Sequence, residues 1–129
     1  MAIRLKLNPS AGVPIYRQII DAIRDLVAAG VLRPGERLPS IRELAGQLRI
    51  NPASAVKAYH ELRHEGLIDS DQGRGTFVSR EPGVVAATRE ALLQDDLDAL
   101  LLRAEARGFR LDEVMDALAA RARERENET

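Results

Sequence analysis

The chain has 129 residues, of which 45% are hydrophobic, 30% charged and only 3% aromatic. This length suits one small domain with an accessory segment, and the hydrophobic fraction is high enough for a core of Leu, Ile, Val and Ala. The absence of cysteine excludes disulfides and thiolate metal sites. The N-terminus lacks the apolar run of a signal peptide, and no apolar stretch approaches the length of a membrane span, so we expect a cytoplasmic protein.

The net charge of −1 hides a division of charge along the chain. Up to Arg80 there are 12 basic and 8 acidic residues, a net charge of +4, whereas from Glu81 onwards there are 7 basic and 12 acidic residues, a net charge of −5. A basic first part joined to an acidic second part is typical of a DNA-binding head with a partner-binding tail. A chance fluctuation would give the same numbers, so charge alone does not decide the function.

The first third of the chain predicts a short extended segment and one amphipathic helix. Residues 3–7 alternate apolar and basic side chains, which indicates a short strand or an extended arm. Apolar residues then recur at helical spacing from Ile15 to Val27. Pro14 suits the first turn of this helix and Gly30 its end. The continuous apolar stripe predicts that the helix lies in the core.

Two further helices with a tight turn between them follow. Ser40 and Glu43 have the spacing of a capping box, which marks the start of the shorter helix. Asn51 caps the longer one, with Pro52 in its first position. This order is typical of a helix-turn-helix. The predicted inner faces are Ile41, Leu44, Ala45 and Leu48 in the shorter helix, and Ala55, Val56, Ala58, Tyr59 and Leu62 in the longer one.

A basic hairpin and two tail helices complete the prediction. Residues 67–70 and 76–79 read as strands joined by the glycine-rich loop 71–75. Beyond Pro82-Gly83, two amphipathic helices are separated by Gly108. We therefore expect a mainly α fold with a small β-wing: a winged helix-turn-helix domain over residues 1–80, followed by a C-terminal helical hairpin, a two-helix dimerisation region, over residues 81–129.

Residues 14–78 resemble the winged helix-turn-helix domain of the GntR family of bacterial transcription regulators. Asn51-Pro52, followed by Val56-Lys57-Ala58-Tyr59 and a short tail, is similar to the YtrA subfamily, whose members dimerise through two helices and lack a large effector-binding domain. The resemblance implies a homodimeric repressor of a palindromic operator, with no cofactor, and leaves the existence of a small-molecule effector open. The other matching strings are Pro14-Ile15-Tyr16-Arg17-Gln18-Ile19, Pro34-Gly35-Glu36-Arg37-Leu38-Pro39-Ser40, Arg42-Glu43-Leu44-Ala45, Glu65-Gly66-Leu67-Ile68 and Gly73-Arg74-Gly75-Thr76-Phe77-Val78.

The shorter helix and the hairpin supply candidate contacts to double-stranded DNA. Ser40 and the free N–H groups behind it form a natural phosphate site. Arg42, near the positive end of the same helix, is placed to clamp a phosphate or to reach a guanine edge. Arg74, with a glycine on either side, can lie along the minor groove, because Gly75 lets the backbone approach closely.

The longer helix supplies the candidate base contacts. Asn51, Ser54 and Lys57 are placed to enter the major groove. For Asn51 both capping and phosphate contact stay open, and for Lys57 a solvated position is the alternative. Ala53 stands where the subfamily usually has Asn, and because it cannot hydrogen-bond a base edge, we expect base readout to be altered or weaker here. The predicted DNA-binding residues are Ser40, Arg42, Asn51, Ala53, Ser54, Lys57, His60, Arg74 and Gly75.

A competing motif points to a different class of protein. His60-Glu61-Leu62-Arg63-His64 matches the zinc-peptidase signature, in which two histidines hold zinc and the glutamate acts as general base. Glu81 or Glu90 would be the third ligand. We reject this alternative because the helix ends at once at Gly66 and so short a chain shows no substrate cleft. The sequence therefore predicts a protein that is not an enzyme and holds no metal.

The tail predicts an interface between two copies of the chain. Its apolar stripe is too long to leave in water, and pairing with a second copy would cover it. A heterotypic partner is the alternative. The predicted dimerisation residues are Leu93, Leu97, Leu100, Leu101, Ala104, Leu111, Val114, Met115 and Leu118.

Overall fold

A computed structural model describes residues 3–129 as five helices and a small sheet, which confirms the predicted fold class. The chain divides into two compact units, one ending at residue 89 and one spanning residues 90–129. Among the helices of the described residues, none is long and apolar enough to cross a membrane. The elements are α1 (Ile15–Ala28), β1 (Arg37–Leu38), α2 (Ile41–Leu48), α3 (Pro52–His64), β2 (Ile68–Asp71), β3 (Gly75–Val78), α4 (Val84–Ala106) and α5 (Leu111–Asn127).

The core of the first unit forms where α1 and α2 both pack against α3. Small residues, Ala55 and Ala58, line the inner face of α3 and let the neighbouring helices approach closely. Residues 3–7 form no strand, but the side chain of Ile3 is buried in this core. The other fully buried side chains of the three helices are Ile19, Ile20, Ile23, Val27, Leu44, Tyr59 and Leu62.

One residue assigned to the inner face of α3 lies on the outside. Val56 is 46% exposed, whereas Ala55 is completely buried. Successive residues of a helix point about 100° apart, so the buried series 55, 58, 59 and 62 leaves position 56 outside the contact with α1 and α2. The prediction that Val56 is a core residue is therefore wrong.

The two helix starts of the helix-turn-helix form as the sequence predicts. Ser40 Oγ accepts a hydrogen bond from the N–H of Glu43 at 3.0 Å, and Glu43 Oε1 accepts one from the N–H of Ser40 at 3.1 Å. Asn51 Oδ1 accepts a hydrogen bond from the N–H of Ala53 at 2.9 Å. Between these helices Arg49 has a φ of 54°, the only positive φ of a non-glycine residue in the described chain. This left-handed residue ends α2 and lets α3 start in a new direction.

The wing is a three-stranded antiparallel sheet in the order β1-β3-β2. Arg37 pairs with Phe77, and Ile68 pairs with Val78. The end of α3 is joined to β2, because Nη1 of Arg63 donates a hydrogen bond to Oγ of Ser70 at 3.1 Å. The hairpin loop thus projects from a base that is bonded directly to α3.

A buried hydrogen bond fixes α3 to the segment that precedes α2. The hydroxyl of Tyr59 donates to the carbonyl oxygen of Pro39 at 2.7 Å, and both residues are fully buried. Burial, assisted by the negative charge of Glu43, raises the pKa of Tyr59 well above its usual value. The hydroxyl therefore keeps its proton and acts as a donor throughout the physiological pH range.

We expect Tyr59→Phe to lower the free energy of unfolding by roughly 1–3 kcal/mol, because it leaves a buried carbonyl without a donor. Urea denaturation followed by circular dichroism measures this loss. Tyr16→Phe is the matched control, because Tyr16 is only half-buried and its hydroxyl has no hydrogen-bond partner within residues 3–129. Equal free energies of unfolding for the two variants would contradict the expected contribution of the Tyr59 hydrogen bond to stability.

Candidate nucleic-acid interface

The outer face of α3 brings together three of the residues predicted to contact DNA. Ala53, Lys57 and His60 are exposed on the side of the helix opposite its buried residues. Val56, which sequence reasoning placed in the core, lies among them at the spacing of three and four residues that defines one helical face. Ser54 is half-buried and contributes less surface.

Asn51 acts as the helix cap, since its Oδ1 is already occupied by the N–H of Ala53. Its side-chain amide nitrogen has no hydrogen-bond partner among the described residues and stays available to a phosphate or a base. The capping role is thus confirmed. The contact with DNA stays a prediction.

Lys57 is held at a definite place by α1. Its Nζ lies 4.0 Å from the centre of the Tyr16 ring, within the range of a cation–π interaction. Arg17 lies on the same ring at 5.7 Å and forms a 3.6 Å ion pair with Glu61. The ammonium group of Lys57 therefore sits beside the outer face of α3, and sequence reasoning missed the aromatic contact because it joins two separate helices.

The start of α2 carries a capping box beside an unpaired cation. Two hydrogen bonds to Ser40 hold the pKa of the Glu43 carboxylate below its usual value. The larger effect comes from the N–H of Ser40 and the smaller one from its side chain. Ser40 Oγ is thus committed to the cap, which leaves the N–H groups of Ile41 and Arg42 as the first-turn donors without partners in residues 3–129. Arg42 is exposed, and no carboxylate of the described chain pairs with it.

The hairpin presents two guanidinium groups around one glycine. Arg74 is exposed at the loop, with Nε 3.8 Å from Oδ2 of Asp71. Gly75 has a φ of 105°, and a Cβ at this position would lie 3.3 Å from Nε of Arg37. A larger residue would strain the backbone and displace the Arg37 side chain, so the glycine lets Arg37 lie close to the hairpin backbone.

The acidic residues near the C-terminal end of α3 are neutralised by α1. Glu61 pairs with Arg17, and Glu65 accepts hydrogen bonds from Arg24. The pair with Arg17 also uses Glu61, the glutamate that would act as general base in the zinc-peptidase alternative. Within residues 3–129, no group of three or more His, Asp or Glu side chains could hold a metal ion. The structure thus gives the peptidase alternative no support.

The second unit leaves much of its apolar surface uncovered. Helix α5 has no buried residue, and an open groove between the end of α4 and α5 is lined by Leu100, Ala104, Phe109, Val114 and Leu118, among others. Sequence reasoning missed Leu102 and Phe109, which are also exposed. Of the predicted dimerisation residues, Ala104 is buried, Leu97, Leu101 and Val114 are half-buried, and Leu93, Leu100, Leu111, Met115 and Leu118 are exposed.

Comparison with known proteins places these features in a family. The family model for bacterial regulatory proteins of the gntR family matches residues 15–78. The HTH-type transcriptional repressor YtrA of Bacillus subtilis is 34% identical over 111 residues, which cover 85% of each chain. The solved structure of YtrA from Sulfolobus acidocaldarius, a GntR-family transcription factor, is 34% identical, with a TM-score of 0.58 over 93% of this chain and 97% of that one.

A second similar structure contains DNA. The DNA-binding domain of AraR, solved in complex with operator ORX1, is 31% identical, with a TM-score of 0.51 over 58% of this chain and 93% of that one. The family match covers the helix-turn-helix and the wing, and the YtrA similarity extends along most of the chain. This protein therefore belongs to the GntR family of bacterial regulatory proteins, in its YtrA subfamily.

Proposed function

We propose that the protein is a cytoplasmic transcriptional repressor that binds a palindromic operator as a homodimer. The observation that carries this proposal is the outer face of α3, which is exposed and carries the cation Lys57, together with the exposed Arg42 in the first turn of α2. A helix presented in this way fits the major groove, with the basic side chains beside it on the phosphates. The Bacillus subtilis relative is named a repressor, and the similar AraR domain was solved on its operator.

The wing supplies the second contact of the proposed complex. Arg74 at the hairpin loop and Arg37 beside it carry positive charge. A narrow glycine-flanked loop with an exposed arginine fits the minor groove, whose negative potential attracts such side chains. The proposed DNA-binding surface therefore comprises the start of α2, the outer face of α3 and the hairpin loop.

The exposed apolar residues of α4 and α5 support the homodimer. A contiguous apolar surface of this kind is costly in water, and a second copy presents the same surface for it to pair with. Two heads related by a two-fold axis require two inverted half-sites in the DNA. Dimerisation through residues 90–129 and a palindromic operator are thus two parts of one proposal.

Selection of duplexes from a randomised library should return a two-fold symmetric site with half-sites about one helical turn apart, on the order of 10 base pairs. Footprinting of the selected duplex at saturating protein measures the symmetry. A footprint over a single half-site would contradict the homodimeric arrangement. Failure to enrich any sequence would contradict specific DNA binding itself.

We expect Leu93→Asp combined with Leu100→Asp to separate the dimer and to abolish tight operator binding. Both leucines are exposed, at 58% and 43%, so the added charges should destabilise the dimer interface and leave the fold of a single chain intact. A single head also loses the local-concentration advantage of the second half-site. Sedimentation equilibrium measures the association.

Leu102→Asp is the control for this prediction, because Leu102 is 69% exposed and points away from Leu100 on α4. Dissociation by this variant alone would place the interface on the other side of the helix.

Arg42→Ala should reduce the slope of log K against log salt concentration by about 1 if the guanidinium neutralises one phosphate. If Arg42 reads guanine instead, the loss should be roughly 1–3 kcal/mol and confined to one base position. Fluorescence anisotropy at several salt concentrations distinguishes these results. Arg121→Ala, which removes a cation paired with Glu124 in α5, is the control and should change neither quantity. Unchanged binding by Arg42→Ala would show that the side chain is merely exposed.

A further inference from the structure

We propose that Val56, assisted by Ala53, selects thymine in each half-site by apolar contact with its 5-methyl group in the major groove. This inference rests on the proposed function, because it needs α3 to lie in the groove. It adds a reading residue that the sequence pattern had assigned to the core, and it names the base that this residue recognises.

The exposure of Val56 points to a binding role because of where this residue lies on α3. Single exposed apolar residues are ordinary on protein surfaces. Val56, however, lies in the second turn of α3, between Ala53 and His60 on the outward face, and it is 46% exposed. It is not among the residues that pack against the core. A valine here lies outside the core and keeps nearly half of its surface exposed, and as a β-branched residue it is a poorer helix former than alanine.

Hydrogen-bonding groups are scarce on this part of α3. Asn51 Oδ1 is used by the helix cap, which leaves the amide nitrogen as the available polar group of that side chain, and the side chain of Ser54 is half-buried. Ala53 and Val56 carry no donor or acceptor in their side chains. Lys57 is long and cationic, and its ammonium group lies 4.0 Å from the centre of the Tyr16 ring, towards α1, where it is suited to a phosphate rather than to a base edge. The first two turns of the proposed reading face therefore present two apolar side chains, Ala53 and Val56, beside the polar Lys57 and His60.

Only one apolar group marks a base pair in the major groove of ordinary DNA. Thymine carries a methyl group at C5, whereas the other three bases present donors and acceptors. A branched apolar side chain in the second turn of a groove-bound helix is suited to cover this methyl group. Ala53, three residues earlier on the same face, is suited to extend the apolar surface towards the start of the helix.

The probe is the tightest duplex from the library selection described above. Each thymine is replaced in turn, symmetrically in both half-sites, by deoxyuridine, which removes only the 5-methyl group. For wild-type protein we expect one thymine position at which the change weakens binding by roughly three- to tenfold per half-site, the size expected for one buried methyl group. At the same position, 5-methylcytosine paired with guanine should bind more tightly than cytosine does.

The decisive variant is Val56→Ala, which shortens the side chain without adding a polar group. It should lose most of the preference for thymine over uracil at the assigned position, because Ala53 alone supplies only the margin of the apolar contact. Because the site is exposed and alanine is the better helix former, the variant should fold normally. Val31→Ala is the matched control, since Val31 is 62% exposed in the turn after α1 and should keep the full discrimination.

Three results separate this inference from the proposed function. If no thymine of the selected duplex responds to loss of its methyl group, specific binding stands but the methyl contact is wrong. If Val56→Ala discriminates as well as the wild type, another residue makes the contact and the assignment to Val56 is wrong. If the library yields no enriched duplex, the proposed function fails and this inference fails with it.

Discussion

The hydrogen bond from the Tyr59 hydroxyl to the carbonyl of Pro39 is the constraint on which the DNA-facing geometry depends. It joins the middle of α3 to the residue just before the capping box of α2, inside the core. Because donor and acceptor are both buried, loss of either leaves a polar group with no access to water. The rotation of α3 about its axis is therefore coupled to the start of α2, and with it the direction in which Ala53 and Val56 point.

Helix α3 performs two tasks with opposite faces. Its inner face uses Ala55 and Ala58, whose small side chains allow close packing, together with the larger Tyr59. Towards its C-terminal end, Glu61 and Glu65 pair with arginines of α1, so their negative charge is compensated away from the proposed phosphate contacts. The outward face is then left with Ala53, Val56, Lys57 and His60.

Features set by neighbouring residues could be predicted from the sequence, and features set by tertiary packing could not. The Ser40–Glu43 capping box and the Asn51 cap follow from local spacing, and both are present. Val56 was misplaced because an alternating run of small and apolar residues allows more than one inner face, and only contact with α1 and α2 selects among them. The Tyr16–Lys57 contact joins helices that are distant in sequence, so no local pattern indicates it.

In the proposed complex, different residues determine the affinity for DNA and the selectivity among DNA sequences. Attraction of Arg42, Lys57 and Arg74 to phosphates is electrostatic and acts on every DNA sequence. It weakens as the salt concentration rises, because the release of counterions from the DNA then gains less free energy. A methyl contact at Val56 involves no charge, so salt leaves the preference for thymine over uracil unchanged while it lowers the affinity for both. The salt-dependent term is common to the two duplexes and cancels in their ratio, so a preference for thymine that stays constant as total affinity falls is what a methyl contact separate from the phosphate contacts requires.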